Sequence, residues 1–255
     1  MSASAQVDWA PVLAEARPGV VAGTLLRLVE SQAQVATVRL VSSLERQGLL
    51  EEMLEATKPA LPNSAGNLHY LLASPFRYPP LKHGSRFGRR HEPSLFYGAL
   101  DTSALMAESA YYRFVFWQGM AVPPPGRLLT QHTLFAAGYR ADPGLDLREP
   151  PFAAHLERLA NPVDYLASQD LGTRLRDLGL AGFQYASARD PQGGGNVALF
   201  TPKAFTAAAP LFQEAWSCET DAERVRFRAH YGRALFDFPV EIFRVDGVLP
   251  QPATA

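Results

Sequence analysis

What most restricts the folds open to this chain is a change of period in its apolar residues. Between Val20 and Ala56, in VVAGTLLRLVESQAQVATVRLVSSLERQGLLEEMLEA, they recur at helical spacing: Leu25, Leu28 and Val29, then Val35, Val38 and Val41, then Leu50, Met53 and Leu54. This spacing predicts two or three amphipathic helices. KPALPNSAG, Lys58 to Gly66, then brings two prolines together with Asn, Ser and Gly, the chemistry of a helix stop and a connecting loop, and places a boundary near residue 60. Beyond it, short runs such as PSLFYGAL and GRLLTQHTLF stand between Pro and Gly punctuation and read as strands.

Further on, YRADPGLDLREPPFAA reads as a loop that continues into a helical HLERLA. Tyr165, Leu166, Leu171, Leu175 and Leu178 then predict a helix ending at Gly179 or Gly182. GFQYASAR and NVALF predict two strands joined by a Gly-rich turn, Pro191 to Gly195. From Ala204 to Ala234 the pattern turns helical again, and FPVEIFRVDGVL adds a late strand. Helices and strands without regular βαβ alternation predict an α+β fold rather than a doubly wound sheet. The expected organisation is a helical extension over residues 1–60, then one domain over 61–255 with its own helical and strand extension after about 204.

Composition narrows the function classes. With 24 basic and 25 acidic residues the net charge is −1, so no global field favours nucleic acid or an anionic membrane, and an anion site must be local. The N-terminus lacks a basic and apolar leader pattern, and nowhere do 18 apolar residues run together. The lone Cys218 excludes an internal disulfide and a thiol cluster for zinc, and the six histidines show neither H-E-x-x-H nor any mixed metal spacing. The expectation is a cytoplasmic protein without a metal.

Chemistry concentrates in SRFGRRHEPSLFYGALDTSALMAES. In a strand over SLFYGAL, Leu95 and Tyr97 face one way while Phe96 and Gly98 face the other. Asp101 then suits a helix N-cap, and Glu108 shares a helical face with Ala104, Leu105, Tyr111 and Tyr112. A carboxylate among apolar groups needs a partner or a function. Either it pairs with Arg113 or one of Arg86, Arg89 and Arg90, or it meets a cation that develops during a reaction. The arginines divide similarly between a solvated loop and one guanidinium gripping a phosphate pair. QGGGN is a strand-to-strand turn or a phosphate cradle, and Ser187 in YASAR lacks the G-x-S-x-G setting of a hydrolase nucleophile. The aromatic residues from Tyr111 to Trp117 read as core, because no basic stripe accompanies them.

These residues resemble the RES domain family. Arg86 in GSRFG is similar to the family's arginine, Tyr97 in SLFYGAL to its tyrosine, Glu108 in SALMAE to its glutamate and Ser187 in AGFQYASARDPQGGGNVALF to its serine. The resemblance covers Leu72 to Lys203. SRFGRR stands where the family often has a GRWN-like run, which leaves Arg89 and Arg90 as alternatives to Arg86.

The resemblance implies a fold like that of ADP-ribosyltransferase toxins and an enzyme that consumes NAD+ as glycohydrolase or phosphorylase, inorganic phosphate being the co-substrate in the second case. It also implies an Xre-type antitoxin partner in a bacterial toxin–antitoxin pair. The alternatives are transfer of ADP-ribose to a protein and a catalytically silent interaction protein of the same fold; a homo-oligomer is open. In the implied mechanism Glu108 stabilises the sugar cation and Arg86 holds the diphosphate. Tyr97 packs on nicotinamide or its ribose, and Ser187 hydrogen-bonds a phosphate or ribose oxygen.

Overall fold

The computed structural model describes residues 7–31 and 43–252. It is an α+β molecule built on one mixed sheet of eight strands. Among the described residues no helix is long and apolar enough to cross a membrane.

Helix α1 (Trp9–Glu15) opens on an Asp8 cap, and strand β1 (Gly19–Glu30) follows. Here the helical expectation for Val20 to Glu30 is corrected. Three apolar positions at helical spacing are too few to decide between periods. Val20, Val21, Thr24 and Val29 are β-branched, and Gly19 and Gly23 weaken a helix. The long ladder from Gly19 opposite Gly144 to Glu30 opposite His132 decides it. The expected Val35, Val38 and Val41 stripe lies outside the described residues. Helix α2 (Leu44–Thr57) forms as expected with Ser43 as cap, but it buries none of its residues; Glu55 ties it to Arg77 at 2.7 Å.

Helix α3 (Tyr70–Arg77) and strand β2 (Phe96–Ala99) come next. Helix α4 (Thr102–Gln118) is fixed at its start by the Asp101 carboxylate, which accepts from Ala104 N at 2.7 Å. Strand β3 (Leu128–Asp146) is far longer than GRLLTQHTLF suggested and absorbs the supposed loop YRADPGLD. Pro143 and Gly144 read as turn residues, yet Gly144 lies between two neighbouring strands. A Cβ there would strike Val21 of β1 and press on the backbone of Ala141 and Gly182, so this glycine serves close approach rather than a turn.

Two short helices, α5 (Leu156–Leu159) and α6 (Leu166–Asp177), lead to the antiparallel pair β4 (Gly182–Ala186) and β5 (Gly195–Leu199), as expected. The helical expectation for Ala204 to Ala234 is corrected to strands β6 (Phe212–Thr220) and β7 (Arg224–Ala229). Their buried residues alternate: Trp216, Cys218 and Thr220 on one strand, Val225, Phe227 and Ala229 on the other. Strand β8 (Leu235–Pro239) occupies only the start of the expected late strand, which turns into a 3-10 helix at Val240–Phe243.

The strand order is β1-β2-β5-β4-β3-β6-β7-β8, and β1 also pairs with β3. The first five strands therefore close into a ring, with β3 parallel to β4 near Gly144–Asp146, while β6, β7 and β8 continue from the first half of β3. Helix α4 buries Leu105, Met106, Tyr111 and Phe114 in the cluster with Trp216, Phe227 and Phe243. A second cluster joins Trp9 of α1 to Leu171 and Leu175 of α6 and Phe183 of β4. A third packs Leu71 and Leu72 of α3 onto Leu25, Phe96 and Phe135. The weak point of the ring is the β1–β2 seam, where the register holds a single pair, Leu26 with Ala99.

Candidate functional site

Beside that seam lies a cavity of about 550 Å³, in the size range of small-molecule sites, roughly 300–1,000 Å³. Its walls come from β1 (Leu26 to Glu30), β2 (Tyr97 to Ala99), one face of α4 (Leu105 to Phe116) and the 81–86 loop, with Tyr165, Tyr185 and Asn196 contributing single side chains. A second hollow of about 580 Å³, along Val7, Asp8 and residues 153–158, contains none of the four candidate residues.

Glu108 stands on the second turn of α4 and is partly buried. The expected pairing with an arginine does not occur among the described residues: Arg113 bonds Glu30 at 3.2 Å, and Arg89 bonds Asp170 at 3.3 Å. Glu108 instead accepts two neutral hydrogen bonds on Oε1, from Ser187 Oγ at 2.6 Å and Asn196 Nδ2 at 3.1 Å. The arrangement holds the carboxylate in place without neutralising it.

Ser187 follows β4 and is only 7% exposed. Its Oγ accepts from the backbone N–H groups of Arg189 and Asp190, both at 3.1 Å, so its own proton is directed to Glu108. The residue lies behind the carboxylate and is not among those lining the cavity. QGGGN forms the β4–β5 turn. Gly194 N donates to Asp190 within the turn and Gly195 N to Asp101, the α4 cap, each at 3.2 Å, and Gly193 takes φ +73°, so these two amides already have protein partners.

Of the three arginines, Arg86 reaches the cavity and is 8% exposed, whereas Arg90 is exposed. Arg86 stacks on the Tyr165 ring at 4.3 Å, and its two hydrogen bonds, to Asn161 O at 2.8 Å and Leu159 O at 3.3 Å, both leave from Nη1. Tyr165 is held in turn by Arg189, whose Nη2 donates to the Tyr165 hydroxyl at 3.1 Å.

Tyr97 faces the way the alternation predicts, packing with the cluster of Leu95 while Phe96 joins the opposite one. Its hydroxyl shares a hydrogen with Ser85 Oγ at 2.8 Å and accepts from Phe87 N at 3.1 Å. Burial pushes this phenol up to about 12, against smaller opposing effects from those hydrogen bonds. Tyr185 is raised well above its ordinary value too, by burial first and then by the nearby Glu108 charge. Both tyrosines are therefore neutral donors and acceptors at ordinary pH.

The groups brought together are a carboxylate on a helix, a serine behind it and an arginine lining the same cavity. A family model described as the RES domain matches residues 61–221, well over half of the chain. The chain belongs to the RES domain family. Membership supports a RES-type, toxin-like function, and the family is associated with NAD+-related enzymatic activity. Among curated proteins, none matches the chain. The RES match begins at residue 61, after β1, although β1 forms part of the ring that carries the site. Asn196, Tyr165 and Arg189 were not singled out as site residues from the sequence. Asn196 had a signal in its place at the start of the second strand of the hairpin, beside the expected serine; the other two had none.

Proposed function

We propose that this RES domain protein cleaves the nicotinamide–ribose bond of NAD+. The observation that supports the reading best is the Glu108 carboxylate, held by two neutral donors and paired with no cation among the described residues, on the wall of a cavity it shares with Arg86.

In this reaction the electron pair of the glycosidic bond leaves with nicotinamide, which departs neutral and needs no general acid. Positive charge develops on the ribose carbon and ring oxygen. A fixed carboxylate beside that carbon stabilises the charge without reorganising at the moment of reaction. Fully pairing Glu108 with an arginine would have spent that potential on the resting state. Ser187 and Asn196 serve as positioning residues for Glu108, and Arg86 supplies the guanidinium that suits a diphosphate. Water attacking the cation gives ADP-ribose and releases a proton. Phosphate attacking it gives the 1-phosphate of the same sugar.

Incubating the purified protein with labelled NAD+, with and without phosphate, and weighing the products tests this. Nicotinamide released together with ADP-ribose or its 1-phosphate is the expected result and tells hydrolysis from phosphorolysis. Label retained on protein would move the reading to ADP-ribosyl transfer. Intact NAD+ would contradict it.

A further inference from the structure

We infer that one face of α6, with Gln169 as its central polar residue, is a clamp that sets the position of Arg86. Tyr165, Ser168, Gln169 and Gly172 stand at i, i+3, i+4 and i+7, the spacing of a single helical face. That face lies against the loop carrying Arg86. Ser168 Oγ donates to Arg86 O at 2.6 Å, and Gln169 Nε2 donates to Ser85 O at 3.0 Å and His83 O at 3.4 Å. Tyr165 lies under the guanidinium. At Gly172 the helix comes so close that a Cβ would overlap the Phe87 carbonyl.

A surface serine and glutamine on a helix are common. Here Ser168 is fully buried and Gln169 is 3% exposed, which costs free energy unless their hydrogen bonds are made. Towards the loop they are made to three backbone carbonyls, those of His83, Ser85 and Arg86. From the other side the Tyr97 hydroxyl takes Phe87 N and Ser85 Oγ, so the chain is gripped both before and after Arg86. Gly84, at φ +68°, and the Ser85–Gly88 bridge turn the chain tightly between the two grips. Arginine has much conformational freedom to lose on binding an anion; fixing its backbone and stacking its guanidinium removes part of that cost beforehand.

The clamp is a feature of the fold, and its effect on ligand rests on the proposed NAD+ reading. The test uses Gln169→Leu, Arg86→Ala and the double variant in the full chain. ADP-ribose serves as the probe because it carries the diphosphate and is not consumed. Gln169→Leu is expected to weaken ADP-ribose binding about ten-fold, as loss of buried hydrogen bonds does. In the double variant it should add less than about two-fold to the effect of Arg86→Ala, because contacts acting through one residue are not additive. Amide hydrogen exchange over residues 83–88 should rise in Gln169→Leu while the rest of the sheet stays protected. Additive losses, or unchanged exchange in that loop, would overturn the clamp. If Gln169→Leu does not fold, Ser168→Ala is read in the same way. A parent protein that fails to bind ADP-ribose would refute the NAD+ reading, and the exchange experiment would still decide the clamp.

Discussion

Glu108 shows how the local choice of partner decides whether a partly buried carboxylate is neutralised. Arg86 lines the same cavity and Arg113 stands on the same helix, yet the groups that bond the carboxylate are a hydroxyl and an amide. The sequence showed that a carboxylate belonged to an apolar face. It did not show what would meet it, because partners from α4, β4 and β5 converge only when the sheet forms. Ser187 was expected to touch substrate and is placed behind Glu108 instead, since the same turn that brings it near consumes its lone pairs. Asn196 and Gln169 belong to no apolar stripe, and what such amides bind becomes legible only through their bonds.

Another residue of the cavity wall gives a test by pH. His132 is buried beside Arg113, and burial first, then that positive neighbour, pushes its imidazole down to about 4 from the ordinary 6.5. Between these values the unfolded chain binds a proton that the folded one refuses. Stability is therefore full above about pH 6.5 and falls as pH drops toward 4, by up to about 3 kcal/mol for this group. Denaturant unfolding of the parent and His132→Gln at pH 7 and pH 5 checks it. The parent should lose more stability than the variant across that interval; equal losses would mean that His132 does not titrate in the folded state as described.

At the scale of elements, the strands between Pro and Gly were legible where they were short and failed where the chain is long or its period is mixed. Strand β1 was taken for a helix because three apolar residues stood at helical spacing; in the strand Leu25 and Val29 pack on one face and Leu28 on the other, and pairing with β3 fixes the period. The segment after Ala204 carried a usable signal in Trp216, Cys218 and Thr220, obscured by the alanines ahead of it. The correction has a consequence for any truncation. Removing residues 1–56 takes away Trp9, fully buried against α6, together with the strand that closes the ring. Burial of a tryptophan alone is worth about 3–5 kcal/mol, a large part of a domain's stability. Such a truncated chain should be insoluble or unfolded by circular dichroism. A soluble, cooperatively melting product would show that β1 is dispensable.

For the molecule as a whole, the α+β class and the pairing of β4 with β5 followed from the sequence; closure of the sheet did not. A ring closed by one β1–β2 pair lets α4 lie beside an opening, and the cavity occupies that place. Four polar groups reach it from different elements, Arg86 from a clamped loop, Tyr97 from β2, Glu108 from α4 and Asn196 from β5, while Ser187 stays behind the carboxylate. The fold thus acts as a frame that brings a guanidinium and a carboxylate to one hollow from separate directions, and their separate fastening keeps either from collapsing onto the other. Under the proposed reading the Glu108 charge, rather than its shape, drives bond cleavage. The most direct measurement compares NAD+ consumption by the parent and by Glu108→Gln, with melting temperature followed in both. The expected result is a loss of rate of about a hundred-fold or more, the scale of one lost transition-state contact of about 3 kcal/mol, in a variant that melts as the parent does. A Glu108→Gln protein that consumes NAD+ at the parental rate would contradict it.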